Sequence, residues 1–184
     1  MSNEILEEKD KVKLILSKIK ENSKKLLLLL FVIIFVLISL FLINKREEKT
    51  NILISQEFNK AKILIQNEKK NEGFTLLKQI VEKKHKFYSP LSLYLIIDSK
   101  LEKTNEEIIE LFDKVISIKK IDKENINLIK IKKAIFISNY SDEQKILELL
   151  NPIVNSDSVW RSNAINILGN YFLSTGDSLK AEYY

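Results

Sequence analysis

Residues 164–184 read AINILGNYFLSTGDSLKAEYY, and the rest of the chain is best read outward from them. Apolar residues recur at helical spacing as far as Phe172. The polar break Ser174-Thr175-Gly176-Asp177 follows, and a second helical segment opens after it. Asp177 brings a side-chain oxygen to the place where the first amides of a helix lack partners. The same succession of helix, polar break and helix recurs upstream. Breaks at Asn71, Thr104-Asn105 and Ser141-Asp142 precede acidic first turns. The starts at Asn71, Asn105, Ser141 and Asp177 lie 34, 36 and 36 residues apart. Small residues at Ala61, Ser99, Ala134 and Gly169, with steps of 38, 35 and 35, mark the helices before each break. Ser89-Pro90, Asp122 and Asp157-Ser158 open the remaining helices, the first with a proline placed for an initial turn.

A period near 35 with two helices per unit resembles the tetratricopeptide repeat (TPR). One helical hairpin cannot bury its apolar face alone, whereas stacked copies bury a shared core. The segment Leu168-Gly169-Asn170-Tyr171-Phe172, then Gly176-Asp177, then Ala181, is similar to the repeat's L-G-x-x-[YF], G-D, A pattern. That likeness implies that Leu168 and Phe172 pack between helices and that Gly169 and Ala181, twelve apart, are the two small packing positions. Ala61 and Gly73 repeat the separation. The middle units depart from it, with Leu111 and Ile146 where the second small residue is expected. The expected fold is therefore all-α, a TPR-like α-solenoid of about 3.5 helical hairpins over residues 44–184, with the last repeat incomplete at Tyr184.

A single apolar run precedes the array. Residues 26–43, LLLLLFVIIFVLISLFLI, contain one polar side chain, Ser39. As a helix the run spans about 27 Å, close to the ~30 Å hydrocarbon core of a bilayer. Ser39 is tolerable because its hydroxyl can bond back to the preceding turn. Lys24 and Lys25 before the run, and Lys45 and Arg46 after it, can snorkel to the two interfaces. A secretory signal would have a shorter apolar stretch ending at a small-x-small site, and Asn44-Lys45-Arg46-Glu47-Glu48 supplies none. A core helix of so small a protein would not be apolar on every face. The run thus reads as a single transmembrane helix, preceded by a short charged segment, 1–25. Six lysines lie within 15 residues before the run (Lys11, Lys13, Lys18, Lys20, Lys24, Lys25). Three basic residues follow it over the same distance (Lys45, Arg46, Lys49). This bias places the N-terminus in the cytoplasm and the array on the opposite side. In the leader, Ile5, Val12, Ile15, Leu16 and Ile19 have helix-compatible spacing. They read either as a solvated extension of the anchor or as a basic helix lying on anionic lipid or touching a membrane partner.

A charged leader, one transmembrane helix and about 140 residues of degenerate repeat together resemble the YfgM family, an ancillary subunit of the SecYEG translocon. Its repeat domain is also related to that of the cell-division coordinator CpoB. Val159-Trp160-Arg161-Ser162-Asn163-Ala164 through Gly176-Asp177 and Ala181 is similar to the family's Trp-Arg-x-x-Ala…Gly-Asp…Ala stretch. The resemblance implies an inner-membrane protein with a periplasmic repeat domain, whose partners are the Sec translocon and exported proteins or chaperones.

Composition narrows the other classes. The 184 residues include 3 Gly, 2 Pro, no Cys and one His. Such scarcity of turn residues argues against a β-sandwich or barrel. No glycine-rich phosphate loop is present. Disulfide frameworks and Cys/His zinc sites are excluded. A 45% hydrophobic content excludes wholesale disorder. The net charge of +5 is spread along the chain among acids, unlike a clustered nucleic-acid face. We read the wealth of Ile, Lys and Asn as codon bias. His85 is expected to meet carbonyls in the last turn of a helix. Glu106, Glu107 and Glu110 suit the positive end of a helix dipole better than paired-carboxylate chemistry. Trp160 and Arg161 open a helix, either packing between repeats or touching a partner. Tyr88, Tyr94, Phe112, Phe136, Tyr140, Tyr171 and Phe172 are expected to be mostly core. Neither catalysis, nor a cofactor, nor a small-molecule substrate is indicated. The expected function is a membrane-tethered scaffold for protein–protein interaction. A cell-envelope or division scaffold and a cytoplasm-facing TPR adaptor are the alternatives.

Overall fold

The computed structural model describes Lys13 and residues 22–101 and 104–184. Eight helices are described: α1 Ser23–Gln66, α2 Lys70–Glu82, α3 Tyr88–Asp98, α4 Asn105–Ile116, α5 Lys123–Ile137, α6 Glu143–Val154, α7 Arg161–Ser174 and α8 Ser178–Tyr183. No strand occurs among the described residues. The leader positions Ile5, Val12, Ile15, Leu16 and Ile19 lie outside the described residues.

Two compact units divide between Ile52 and Leu53. In the first, α1 is long and apolar enough to cross a membrane, and the side chains of 27–43 are exposed apart from a half-buried Ser39. Ser39 Oγ donates to the Phe35 carbonyl at 2.8 Å, so its hydroxyl is satisfied within the helix. Residues 23–66 contain neither Gly nor Pro, and α1 continues through the charged stretch after Ile43.

The second unit begins with the end of α1. There Ile54 and Ala61 are buried, with Phe58 and Ile65 packed beside them, a stripe at helical spacing. Contacts between helices are local. Every substantial pairing joins neighbours in the chain or helices two apart, such as α2 with α4 and α5 with α7. Among the odd helices, the Phe58 ring lies 5.7 Å from Tyr88, and Lys132 Nζ sits 4.8 Å over Tyr94. Among the even helices, Lys78 Nζ meets Glu107 Oε1 at 2.7 Å, and Lys180 Nζ meets Glu143 Oε1 at 2.7 Å. One buried cluster extends from Ile54 to Ile129 and a second from Ile131 to Phe172; Phe136 packs against both.

Helix starts follow side-chain chemistry. Thr104 Oγ1 accepts from Glu107 N–H, Asp122 Oδ1 from Asn125 N–H, Asp142 Oδ1 from Lys145 N–H and Asp177 Oδ1 from Lys180 N–H. Three predicted starts are corrected. Helix α2 begins at Lys70, which puts Asn71 inside it; the Asn71 carbonyl accepts from the Thr75 hydroxyl. Helix α3 begins at Tyr88 with Phe87 as its N-cap residue, and His85 Nδ1 accepts from Phe87 N–H at 3.2 Å and Tyr88 N–H at 3.1 Å. Ser89 is engaged elsewhere. Buried, it donates to the Ile80 carbonyl at the end of α2 and accepts from His85 N–H. Helix α7 starts at Arg161, three residues after Ser158, whose Oγ accepts from Trp160 N–H.

Candidate functional site

The membrane-flanking cations Lys24, Lys25, Lys45 and Arg46 are exposed, and Lys45 Nζ lies 5.4 Å over the Phe41 ring. Such exposure suits groups that reach for an interface.

In the second unit the predicted packing residues separate by environment. Ala61, Ala134, Leu168 and Phe172 are buried, and so is Gly73. A Cβ on Gly73 would stand 2.6 Å from Ile65 Cγ1 and 3.3 Å from the Ala61 carbonyl oxygen, so Ala61 and Gly73 bring α1 and α2 into close approach. Gly169 and Ala181 are half-buried, and a Cβ on Gly169 would meet the Ala181 carbonyl at an ordinary 3.8 Å. Gly176 has φ +83° and ends α7 in the left-handed region. Ser99 caps the end of α3 and is half-buried; the small buried residues of that helix are Ser89 and Ser92. Trp160 packs against the second cluster, while Arg161, the first residue of α7, is exposed.

Phe112 and Phe172 are fully buried and Tyr171 nearly so. Tyr88, Tyr94 and Phe136 are half-buried, and Tyr140 is exposed. Burial pushes the Tyr94 phenol up to about 12, so it stays a neutral hydrogen-bonding group. Glu107 is committed to Lys78, and the carboxylate raises that ammonium's pKa through their hydrogen bond.

A network that local sequence could not reveal ties α5 to the turn before α7. Ser158 Oγ donates to Glu124 Oε2 and accepts from Asn127 Nδ2 at 3.0 Å. Val159 N–H also donates to Glu124 Oε2, at 3.2 Å.

A cleft of about 240 Å³ lies between α5, α6 and α7. Ile135, Ile146, Ile167 and Tyr171 give it apolar walls, and Ile135 is 53% exposed. Ser138 and Ser174 also line it, but their hydroxyls donate to the carbonyls of Ile135 and Tyr171 in their own helices. The exposed Asn170 amide and the Tyr171 hydroxyl are the other polar groups of its lining. An apolar side chain could fill the cleft while Asn170 bonds a backbone amide beside it, the ordinary chemistry of peptide recognition. No spacing in the sequence marks it, since Ile135 is on α5 while Ile167 and Asn170 are on α7. Only packing α5 against α7 brings them together. A second, more open groove of about 760 Å³ runs along α6 past Glu143, Leu147, Glu148 and Asn155. Lys180 closes on Glu143 at its start, and the Tyr184 hydroxyl donates to Asn151 Oδ1 at 3.2 Å.

Compared with protein-family models, curated proteins and solved structures, the chain matches none.

Proposed function

We propose that the protein is a membrane-tethered scaffold whose TPR-like helical array binds segments of other proteins. The observation that carries this reading is the strictly local packing order of the second unit, helix to neighbour and next-but-one, together with the apolar α5–α7 cleft. A fold built this way keeps a continuous surface of odd helices for a peptide. Tethering would raise its effective concentration near membrane partners without any new contact. On the resemblance of 159–181 to the YfgM family, the partners would be the Sec translocon and exported proteins or chaperones, with the array periplasmic. Division of labour follows from chemistry. A cleft lined by helices binds through side-chain pockets, whereas intramembrane association works through helix packing, and 26–43 has no Gly and no small-xxx-small spacing.

Crosslinking in membranes with two chimeras tests the reading. One replaces 26–43 by an unrelated transmembrane helix, and the other keeps 1–43 and replaces the array. Client crosslinks should persist in the first and vanish in the second. Clients that still crosslink without 44–184 would remove the array as the working surface.

A further inference from the structure

The turns of the second unit fall into two sets. The even-to-odd turns, 83–87, 117–122 and 155–160, lie along one edge. The contacts fix this: Lys83 pairs with Glu57 near the start of the unit, Lys114 pairs with Glu82, and Ser158 and Val159 bond Glu124 at the start of α5. Leu53, where the chain enters the unit, is one turn before Glu57 on the same helix. Nine residues, 44–52, separate Leu53 from the apolar run in the sequence.

This edge differs chemically from the opposite one. Its turns hold Lys83, Lys84, Lys86, Lys119 and Lys120 against Asp122 and Asp157. Lys84, Lys86 and Lys119 are exposed. Phe87 is 62% exposed and Val159 75%, large apolar groups held out at turns, and Lys86 Nζ sits 5.1 Å over the Phe87 ring. His85 Nδ1, which accepts from Phe87 N–H and Tyr88 N–H, braces the turn that presents them. The opposite edge is mixed with an acidic excess: Glu72, Glu106, Glu107, Glu143, Asp142 and Asp177 stand at its helix starts and caps beside Lys69, Lys70, Lys100, Lys145 and Lys180.

We infer that the edge carrying Lys84, Lys86, Phe87, Lys119 and Val159 rests on the anionic headgroups of the bilayer that holds α1. Cationic side chains within a Debye length of an anionic leaflet are attracted to it, and an aromatic ring prefers the interface. The opposite edge, with its excess of acids, would be attracted less, which gives the contact one orientation and leaves the α5–α7 cleft to proteins. The inference rests on α1 crossing the bilayer.

Trp160, the sole tryptophan and the neighbour of Val159, reports the contact without any change to the protein. The full chain is reconstituted in vesicles of brominated phosphatidylcholine, with or without phosphatidylglycerol. Quenching of Trp160 should rise roughly twofold or more with the anionic lipid and fall back in high salt. The triple variant Lys84→Glu, Lys86→Glu, Lys119→Glu should abolish the rise while helical content by circular dichroism is kept. A reporter on the opposite edge, Tyr140→Trp in Trp160→Phe, should show no dependence on lipid charge. Equal Trp160 quenching in both vesicles, a rise retained by the triple variant, or an equal rise at position 140 would overturn the inference. Flotation after alkaline carbonate reports the anchor separately, so a failure of anchoring is distinguishable from a failure of docking.

Discussion

Ser158 Oγ donates a 2.6 Å hydrogen bond to Glu124 Oε2, joining residues 34 apart in the chain. Ser158 is buried, and the same oxygen accepts from Asn127 Nδ2, which is also on a buried residue. Ser158→Ala would leave the Asn127 amide without this partner at a cost of about 1–3 kcal/mol. Denaturant melts of fragment 44–184 check this, and Ser156→Ala, at a half-buried neighbour, should cost less. A Ser158→Ala variant as stable as wild type would show that the network carries no stability.

The three glycines should answer differently to alanine. Gly73→Ala drives a Cβ to 2.6 Å from Ile65 Cγ1 and 3.3 Å from the Ala61 carbonyl oxygen, so the Ile65 side chain or the helix backbone must shift. Overpacking of this kind costs about 1–3 kcal/mol. Gly169→Ala meets only the Ala181 carbonyl at 3.8 Å, and should be neutral or stabilise by up to about 1 kcal/mol through helix propensity. Gly176→Ala must adopt φ near +83° and should lose about 1 kcal/mol. Thermal melts that rank Gly169→Ala as the worst of the three would contradict the packing described.

Acid should weaken the array through its caps. The Asn125 backbone N–H holds the Asp122 carboxyl below its ordinary range, and the Lys145 backbone N–H does the same for Asp142. A depressed folded pKa contributes stability that is present above the unfolded value, about 3.9, and is lost as pH falls through the folded one. The double variant Asp122→Asn, Asp142→Asn keeps a capping oxygen but no charge. It should be less stable than wild type at neutral pH and converge on it in acid, read from urea midpoints at both. A gap that widened on acidification would refute the assignment.

These caps were legible in sequence because each involves an oxygen and an N–H three residues apart. The departures are non-local. Ser89 precedes a first-turn proline and looks like a cap, but the carbonyl of Ile80 at the end of α2 claims its hydroxyl, and the Tyr88 N–H that opens α3 donates to His85 Nδ1 instead. Ser99 fits the spacing of small residues, yet α3 ends at Asp98 and buries Ser92. The apolar run was evident from composition, whereas the passage of α1 without a break to Gln66 shows only in the structure, since charged residues such as Arg46 and Glu47 signal neither helix nor turn. The cleft was illegible because Ile135 and Asn170 meet only through packing.

Thiol labelling tests most directly whether 26–43 anchors the protein with the array on the far side of the membrane. The wild type has no cysteine to interfere. Cysteines are placed singly at Ser2 and at the exposed Ser178, and intact spheroplasts are treated with an impermeant maleimide. Labelling of Ser178→Cys with Ser2→Cys spared until the membrane is opened is the predicted result. Labelling of Ser2→Cys with Ser178→Cys spared would contradict it.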